Sequence, residues 1–139
     1  MSVEGIPAPY LISFLHERAE NYYNNKMDAF ELRVKGIERS FFVHLEYLTS
    51  QSDFFKENCS NVKEGDLVVI SVPSPETFEP IIEYLYFGNG DKWYDTMTPE
   101  NYYNVWRNVE YLGLDDDARR ICSAYYQAHI ESYNPRALL

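Results

Sequence analysis

The hydrophobic period of the chain changes near residue 28, and this change limits the folds that the sequence can adopt. Before it, apolar residues recur three and four positions apart, as on one stripe of a helix. They are Tyr10, Leu11, Phe14, Leu15, Ala19, Tyr22 and Tyr23. After it, apolar and charged residues alternate from Phe30 to Val34, as in a half-buried strand. A glycine-containing turn follows, and Ser40-Phe41-Phe42-Val43 is the returning strand, apolar from Phe41 onward. The sequence therefore predicts a helix over 9–25 and then a β-hairpin.

The rest of the hydrophobic pattern predicts short helices, one further strand and three longer helices. Residues 44–55 have the spacing of one or two short helices, and 58–66 is a polar loop. The continuous apolar run Leu67–Ile70 is typical of a strand buried on both faces. Three later segments have the capping residue or the acidic first turn with which helices begin. They are Ser74-Pro75-Glu76, Thr98-Pro99-Glu100 and Asp115-Asp116-Asp117. This order predicts an α+β fold, with a small mixed β-sheet flanked by a cluster of helices.

The length of 139 residues suits a single domain spanning 1–139. This domain is predicted to consist of an N-terminal helix at 9–25, a core at 28–130 and a tail at 131–139. Within the core, Gly88–Asp91 is predicted to be a loop because it combines two glycines with Asn and Asp. Pro80 is predicted to bend the helix that begins after Ser74, because proline lacks a backbone donor.

Charge and cysteine content restrict the partners and the compartment. Twelve basic and twenty-two acidic residues give a net charge of -10, which disfavours binding to nucleic acid or to anionic lipid. No apolar run approaches the roughly 18 residues that span a bilayer, and the N-terminus lacks the pattern of a secretory signal. Cys59 and Cys122 cannot form a disulfide framework and suit a reducing compartment. We therefore expect a cytoplasmic or nuclear protein.

Nothing in the sequence has the spacing of a catalytic, metal or cofactor site. His16, His44 and His129 fall on separate predicted elements and do not form a ligand set. Ser52 has no partner His or Asp at a recognisable spacing, so helix capping or a core hydrogen bond is the better interpretation. Phosphate-binding glycine motifs and zinc-binding H-E-x-x-H are also missing. We expect no enzymatic activity, no cofactor, no metal and no small-molecule substrate.

A series of short motifs follows a fixed order between Asp28 and Tyr126. The series is Phe42-x-His44 with Leu48, Ser52 and Phe54-Phe55; then Leu67–Val72; then Ser74-Pro75-Glu76-Thr77-Phe78; then Tyr84-Leu85-Tyr86-Phe87-Gly88; then Thr98-Pro99-Glu100-Asn101; then Glu110-Tyr111-Leu112-Gly113-Leu114; and then Cys122. In this order the motifs resemble the BTB (POZ) domain family. The resemblance implies a protein-binding fold without catalysis, a structural role for His44 bonded to nearby backbone, and a buried Cys122.

The resemblance also implies the kinds of partner. Many family members homodimerise through a helix before the first strand, and others bind cullin-3 as substrate adaptors of ubiquitin ligases. Members that recruit co-repressors pair an Asp, matched here by Asp28, with an Arg directly after the His. Leu45 stands at that second position, so recruitment of that type is disfavoured.

Three sets of residues are candidate contact sites. Tyr10, Leu11, Phe14 and Leu15 are predicted to pack against a second chain, or else to cover the core of their own chain. Val62-Lys63-Glu64 resembles a cullin-binding pattern, in which the apolar residue fills a cullin pocket and Glu64 fixes the register; the alternative is an ordinary polar loop. Trp93 and Tyr94 either form an aromatic patch for a partner or fold back on the helices.

These features together predict a homodimeric interaction module that links a partner to a cullin-3-type ubiquitin ligase. One alternative is a self-associating or transcription-regulatory module that does not bind cullin. Another is a monomeric adaptor of the Skp type.

Overall fold

The computed structural model describes residues 3–131. The three strands are β1 (Phe30–Val34), β2 (Phe41–Val43) and β3 (Leu67–Ile70). The helices are α1 (Ala8–Glu17), α2 (Ala19–Tyr22), α3 (Leu45–Thr49), α4 (Asp53–Cys59), α5 (Phe78–Phe87), α6 (Gly90–Asp95), α7 (Tyr102–Leu112) and α8 (Asp116–Tyr125). A 3-10 turn at Pro75–Thr77 precedes α5, and a π-helical turn at Tyr126–Ile130 follows α8.

The sheet is mixed, with the strand order β2-β1-β3. β1 and β2 form the predicted antiparallel hairpin, with Phe30 opposite Val43, and β3 runs parallel to β1. The predicted α+β fold with a small mixed sheet is therefore confirmed. The prediction that β3 is buried on both faces is wrong, because Leu67 and Val69 are each 54% exposed while Ile70 is buried. β3 lies at the edge of the sheet, and only the face that carries Ile70 meets the core.

The segment predicted as one helix over 9–25 forms two helices. α1 ends at Glu17, and the backbone of Arg18 leaves the helical region at φ -105° and ψ 6° before α2 begins. The Arg18 guanidinium donates to the carbonyl of Phe14, one turn back. Asn24 adopts a positive φ of 60°, which terminates the helical path as its residue type predicts.

Two predictions around α5 are corrected. Pro80 was expected to bend the helix by removing a backbone hydrogen bond, but α5 begins at Phe78, so Pro80 lies in its first turn. The backbone N–H groups of a first turn have no intrahelical partner, so proline removes no hydrogen bond there. The predicted loop at Gly88–Asp91 is wrong from Gly90 onward, where α6 begins. The Asn89 side chain caps this helix by accepting a hydrogen bond from the Lys92 N–H.

A buried hydrogen-bond network around His44 connects the hairpin to α5. The Nε2 atom of His44 lies 2.8 Å from the carbonyl oxygen of Met27, which can only accept, so Nε2 carries the proton. Nδ1 then accepts from the Tyr86 hydroxyl at 2.6 Å, and that hydroxyl accepts from the His44 backbone N–H. His44 is fully buried, and burial lowers the pKa of its imidazole. The arrangement holds a neutral, fully bonded histidine, which is a structural role.

Candidate interaction surfaces

Helix α1 presents one face to the core and the other to the outside. Tyr10 is 66% exposed, whereas Leu11 and Phe14 are half-buried and pack against the core. Leu15 is fully buried, and its carbonyl accepts a hydrogen bond from the Tyr47 hydroxyl at 2.5 Å. The prediction that Leu15 contacts a second chain is therefore wrong, because this side chain points into its own core. Tyr10, Leu11 and Phe14 remain the predicted contact residues.

Phe14 also has a cation on its ring. The Arg18 guanidinium carbon lies 3.5 Å from the centroid of the Phe14 ring, in cation–π geometry. This contact covers part of the Phe14 side chain. Tyr10 is consequently the aromatic group of α1 that is most available to another protein.

The loop that contains Val62-Lys63-Glu64 is an ordered turn after α4. The Val62 N–H donates to the Cys59 carbonyl at 3.0 Å, and the Lys63 N–H donates to the Asp66 carboxylate at 2.8 Å. Glu64 is exposed. Val62 is half-buried and packs against the chain's own core. Glu64 thus stands free for a partner, while only part of the Val62 side chain does.

An aromatic pair at the other end of α4, half-buried at Phe54 and exposed at Tyr111, was not anticipated from the sequence. The rings of Phe54 and Tyr111 lie 5.0 Å apart, joining the first turn of α4 to the last turn of α7. Tyr111 is 44% exposed. The sequence did contain a signal, since Tyr111 falls off the apolar stripe of α7, and a large aromatic residue off the stripe is left facing solvent.

Trp93 does not form an exposed patch for a partner. Only 2% of it is exposed, and its ring stacks on that of Tyr84 with the centroids 4.6 Å apart. Tyr94 is half-buried and contacts the ring of Tyr125 edge-on at 5.2 Å. The partner-patch prediction is therefore wrong for Trp93, and the alternative, that this segment folds back on the helices, is confirmed. The reason is that α6 turns these side chains toward α5 and α8.

A groove of about 480 Å³ separates α5 from α6. Tyr84, Phe87 and Trp93 are among the side chains that line it, and carboxylates stand at its rim. Two of these carboxylates are already neutralised, because Glu79 pairs with Arg39 and Glu83 pairs with Lys92. With these two cations counted, the groove is less negative than its glutamates alone would make it.

Within residues 3–131, the side chains provide no metal site and no reactive thiol. No group of three or more His, Cys, Asp or Glu side chains in this part of the chain has the geometry of a metal site. Cys59 and Cys122 are buried, and burial raises both thiol pKa values, that of Cys122 to about 12. Ser52 donates to the Leu112 carbonyl at 2.5 Å and caps α4, as its position predicts. None of the helices in this range is both long and apolar enough to span a bilayer.

Comparisons with known proteins identify the family. A model of the BTB/POZ domain, a protein–protein interaction module, matches residues 21–129, which is most of the chain. A search of curated proteins finds no match. Among the solved structures that match is the BTB domain of zebrafish PATZ1, with a TM-score of 0.60 and 19% sequence identity over 92% of this chain and 97% of that chain. The element order, the mixed sheet and the family match agree, and the chain belongs to the BTB/POZ domain family.

Proposed function

We propose that this BTB domain self-associates through the outer face of α1. The exposure of Tyr10, on a helix whose opposite face is fixed in the core by Leu15, is the observation that carries the proposal. Covering Tyr10 together with the exposed parts of Leu11 and Phe14 would contribute on the order of 3–5 kcal/mol for each copy, before the cost of association. A two-fold dimer uses this face twice and is the commonest closed oligomer. The mass of the protein in solution tests the proposal.

The second part of the proposal is an adaptor role toward a cullin-3-type scaffold. The support is the position of Glu64, which is exposed in the turn that follows α4. The aromatic pair Phe54–Tyr111 lies at the start of the same helix. A carboxylate in the turn after one short helix, and a partly exposed aromatic pair at the start of that helix, provide a charged contact and an apolar contact for one partner.

Replacing Glu64 with lysine tests the adaptor role. In calorimetric titration with the N-terminal domain of cullin-3 from the same organism, we expect the unmodified chain to bind with sub-micromolar affinity. Glu64→Lys should weaken binding at least about 30-fold, because it reverses the charge that fixes the register. The matched control is Glu38→Lys, which makes the same charge change at another exposed glutamate.

The control lies far from the loop for a topological reason. β3 follows the loop directly and runs parallel to β1, so the loop adjoins the first residues of β1, whereas Glu38 lies beyond its last residue. Glu38→Lys should change the affinity less than threefold. If the unmodified chain does not bind at tens of micromolar, the adaptor role is refuted, and self-association without cullin becomes the function of the domain. A strictly monomeric mass would instead favour the Skp-type alternative.

A further inference from the structure

The outer edge of β3 carries backbone groups that have no partner in the part of the chain that the structure describes. The carbonyls of Asp66 and Ile70 accept hydrogen bonds from the N–H groups of Glu31 and Lys35 on the β1 side. In a parallel pair, the peptide groups of alternate residues point to the same neighbour. Residues 66, 68 and 70 therefore face β1, and the N–H and C=O groups of Leu67 and Val69 face away from it.

The side chains of this edge are apolar and exposed. Leu67 and Val69 lie on the outer face of the sheet and are each 54% exposed. Sheet edges in monomers are commonly protected by lysine, proline or a bulge. Leu67–Ile70 contains neither of these residues, and it pairs with β1 in an unbroken register. Open backbone groups and exposed apolar side chains occur here on the same two residues.

We infer that this edge pairs with the β3 edge of a second copy of the chain, antiparallel and centred on Val68. In that register Leu67 lies opposite Val69 of the second copy, and Val69 lies opposite its Leu67. Both are hydrogen-bonded pairs, because both residues direct their peptide groups outward. The two strands would join the two sheets into one sheet of six strands. The four exposed side chains would then form one apolar cluster on its outer face.

The charges on either side of β3 fit this occupant. The same register places Asp66, which directly precedes β3, opposite Ile70 of the second copy, whereas Glu64 lies in the turn before the strand and takes no part in the pairing. No acidic residue of the segment faces another acidic residue, although the chain carries a net charge of -10. A symmetric contact of like charges would be unfavourable, and this register avoids it. The contact is separate from α1, so it does not depend on the self-association proposed above.

Cysteine cross-linking tests the pairing and its register together. Position 68 meets its own equivalent as a non-hydrogen-bonded pair, where the Cα atoms are about 4.5 Å apart, within the range of a disulfide. Positions 69 of the two copies would be roughly 8–9 Å apart, beyond that range. Val68→Cys is therefore expected to form a covalent dimer under mild oxidation at least 10-fold faster than Val69→Cys. The native thiols, Cys59 and Cys122, are buried and should react in neither variant.

The experiment is best done on a chain that also carries Tyr10→Glu, so that association through α1 does not hold the copies together. Non-reducing electrophoresis gives the dimer fraction, and circular dichroism confirms that each variant is folded. A second readout is Val69→Lys, which should weaken the remaining self-association measured by sedimentation at least 10-fold while leaving the circular dichroism spectrum unchanged. Equal cross-linking of the two cysteine variants, or the absence of cross-linking in a folded Val68→Cys chain, would overturn the inference.

Discussion

Replacing His44 with alanine is expected to lower the free energy of unfolding by about 3–4 kcal/mol. The substitution leaves the Met27 carbonyl without its donor and the Tyr86 hydroxyl without the acceptor of its own proton, although that hydroxyl still accepts from the backbone N–H of residue 44. Each lost bond costs about 1 kcal/mol or more. It also leaves a cavity, because His44 is fully buried. The stacked pair Tyr47 and Tyr86, whose centroids are 4.1 Å apart, adjoins this cavity. Thermal and urea unfolding followed by circular dichroism would measure the change.

His16→Ala is the matched control for this loss of stability. His16 is half-buried and has one side-chain partner, Gln51, with 3.3 Å between His16 Nε2 and Gln51 Oε1. We expect this variant to lose about 1 kcal/mol or less. Equal losses for the two variants would show that the network around His44 is not what stabilises the hairpin against α5.

The same network predicts how stability depends on pH. Burial lowers the pKa of His44 in the folded state, so the unfolded chain binds more protons once the pH falls below the ordinary histidine value of about 6.5. The free energy of unfolding should therefore fall between pH 7 and pH 5.5, and His44→Ala should reduce that slope. The carboxylates with lowered pKa values, Glu31 and Glu76, lose their contributions only below their ordinary value of 4.5. An unchanged slope in the variant would contradict the neutral, buried state of His44.

Replacing Tyr10 with glutamate is expected to weaken self-association through α1 at least about 100-fold. The substitution removes the most exposed aromatic side chain of the helix. It also places a carboxylate in an apolar contact between two chains of net charge -10. Because a two-fold interface contains the change twice, a loss of about 1.4 kcal/mol of association free energy for each copy gives this 100-fold effect. Sedimentation equilibrium over 1–100 µM measures the dissociation constant.

The control for Tyr10→Glu is Tyr103→Glu. Tyr103 is 57% exposed on α7, so the two variants make the same chemical change at similarly exposed tyrosines. Tyr103→Glu should change the dissociation constant less than threefold. An equal effect of both variants would indicate that net charge, and not the face of α1, controls association.

Local pattern was enough to predict the hairpin, the mixed sheet and most of the helices. The alternation from Phe30 to Val34 specifies which face of β1 is buried. Gly88 and Gly113 mark the ends of α5 and α7, and Asp115 caps α8, whereas α7 begins at Tyr102, later than the start predicted at Thr98. The family resemblance was confirmed because its motifs extend over most of the chain.

The errors share a physical cause, which is that an apolar residue does not reveal its neighbours. The run Leu67–Ile70 looks the same in a strand that is covered on both faces and in one that is covered on a single face, and the packing of the rest of the chain leaves Leu67 and Val69 exposed. Leu15 lies on the same apolar stripe as Leu11, and packing against the rest of the chain decides which of them is fully covered. α6 was missed because glycine and aspartate are weak helix formers, and its cap and the contact of Trp93 with Tyr84 stabilise it instead.

The central claim, that the outer face of α1 contacts a second copy, is tested most directly by photo-crosslinking from position 10. A benzophenone amino acid in place of Tyr10 reacts only with groups within a few ångströms of its ring. On irradiation at 50 µM, we expect a covalent dimer of twice the 16.4 kDa chain mass, with the cross-link mapped by mass spectrometry to residues 8–17 of the other copy. A folded protein that stays monomeric, or a cross-link that maps only to another surface, would contradict the claim.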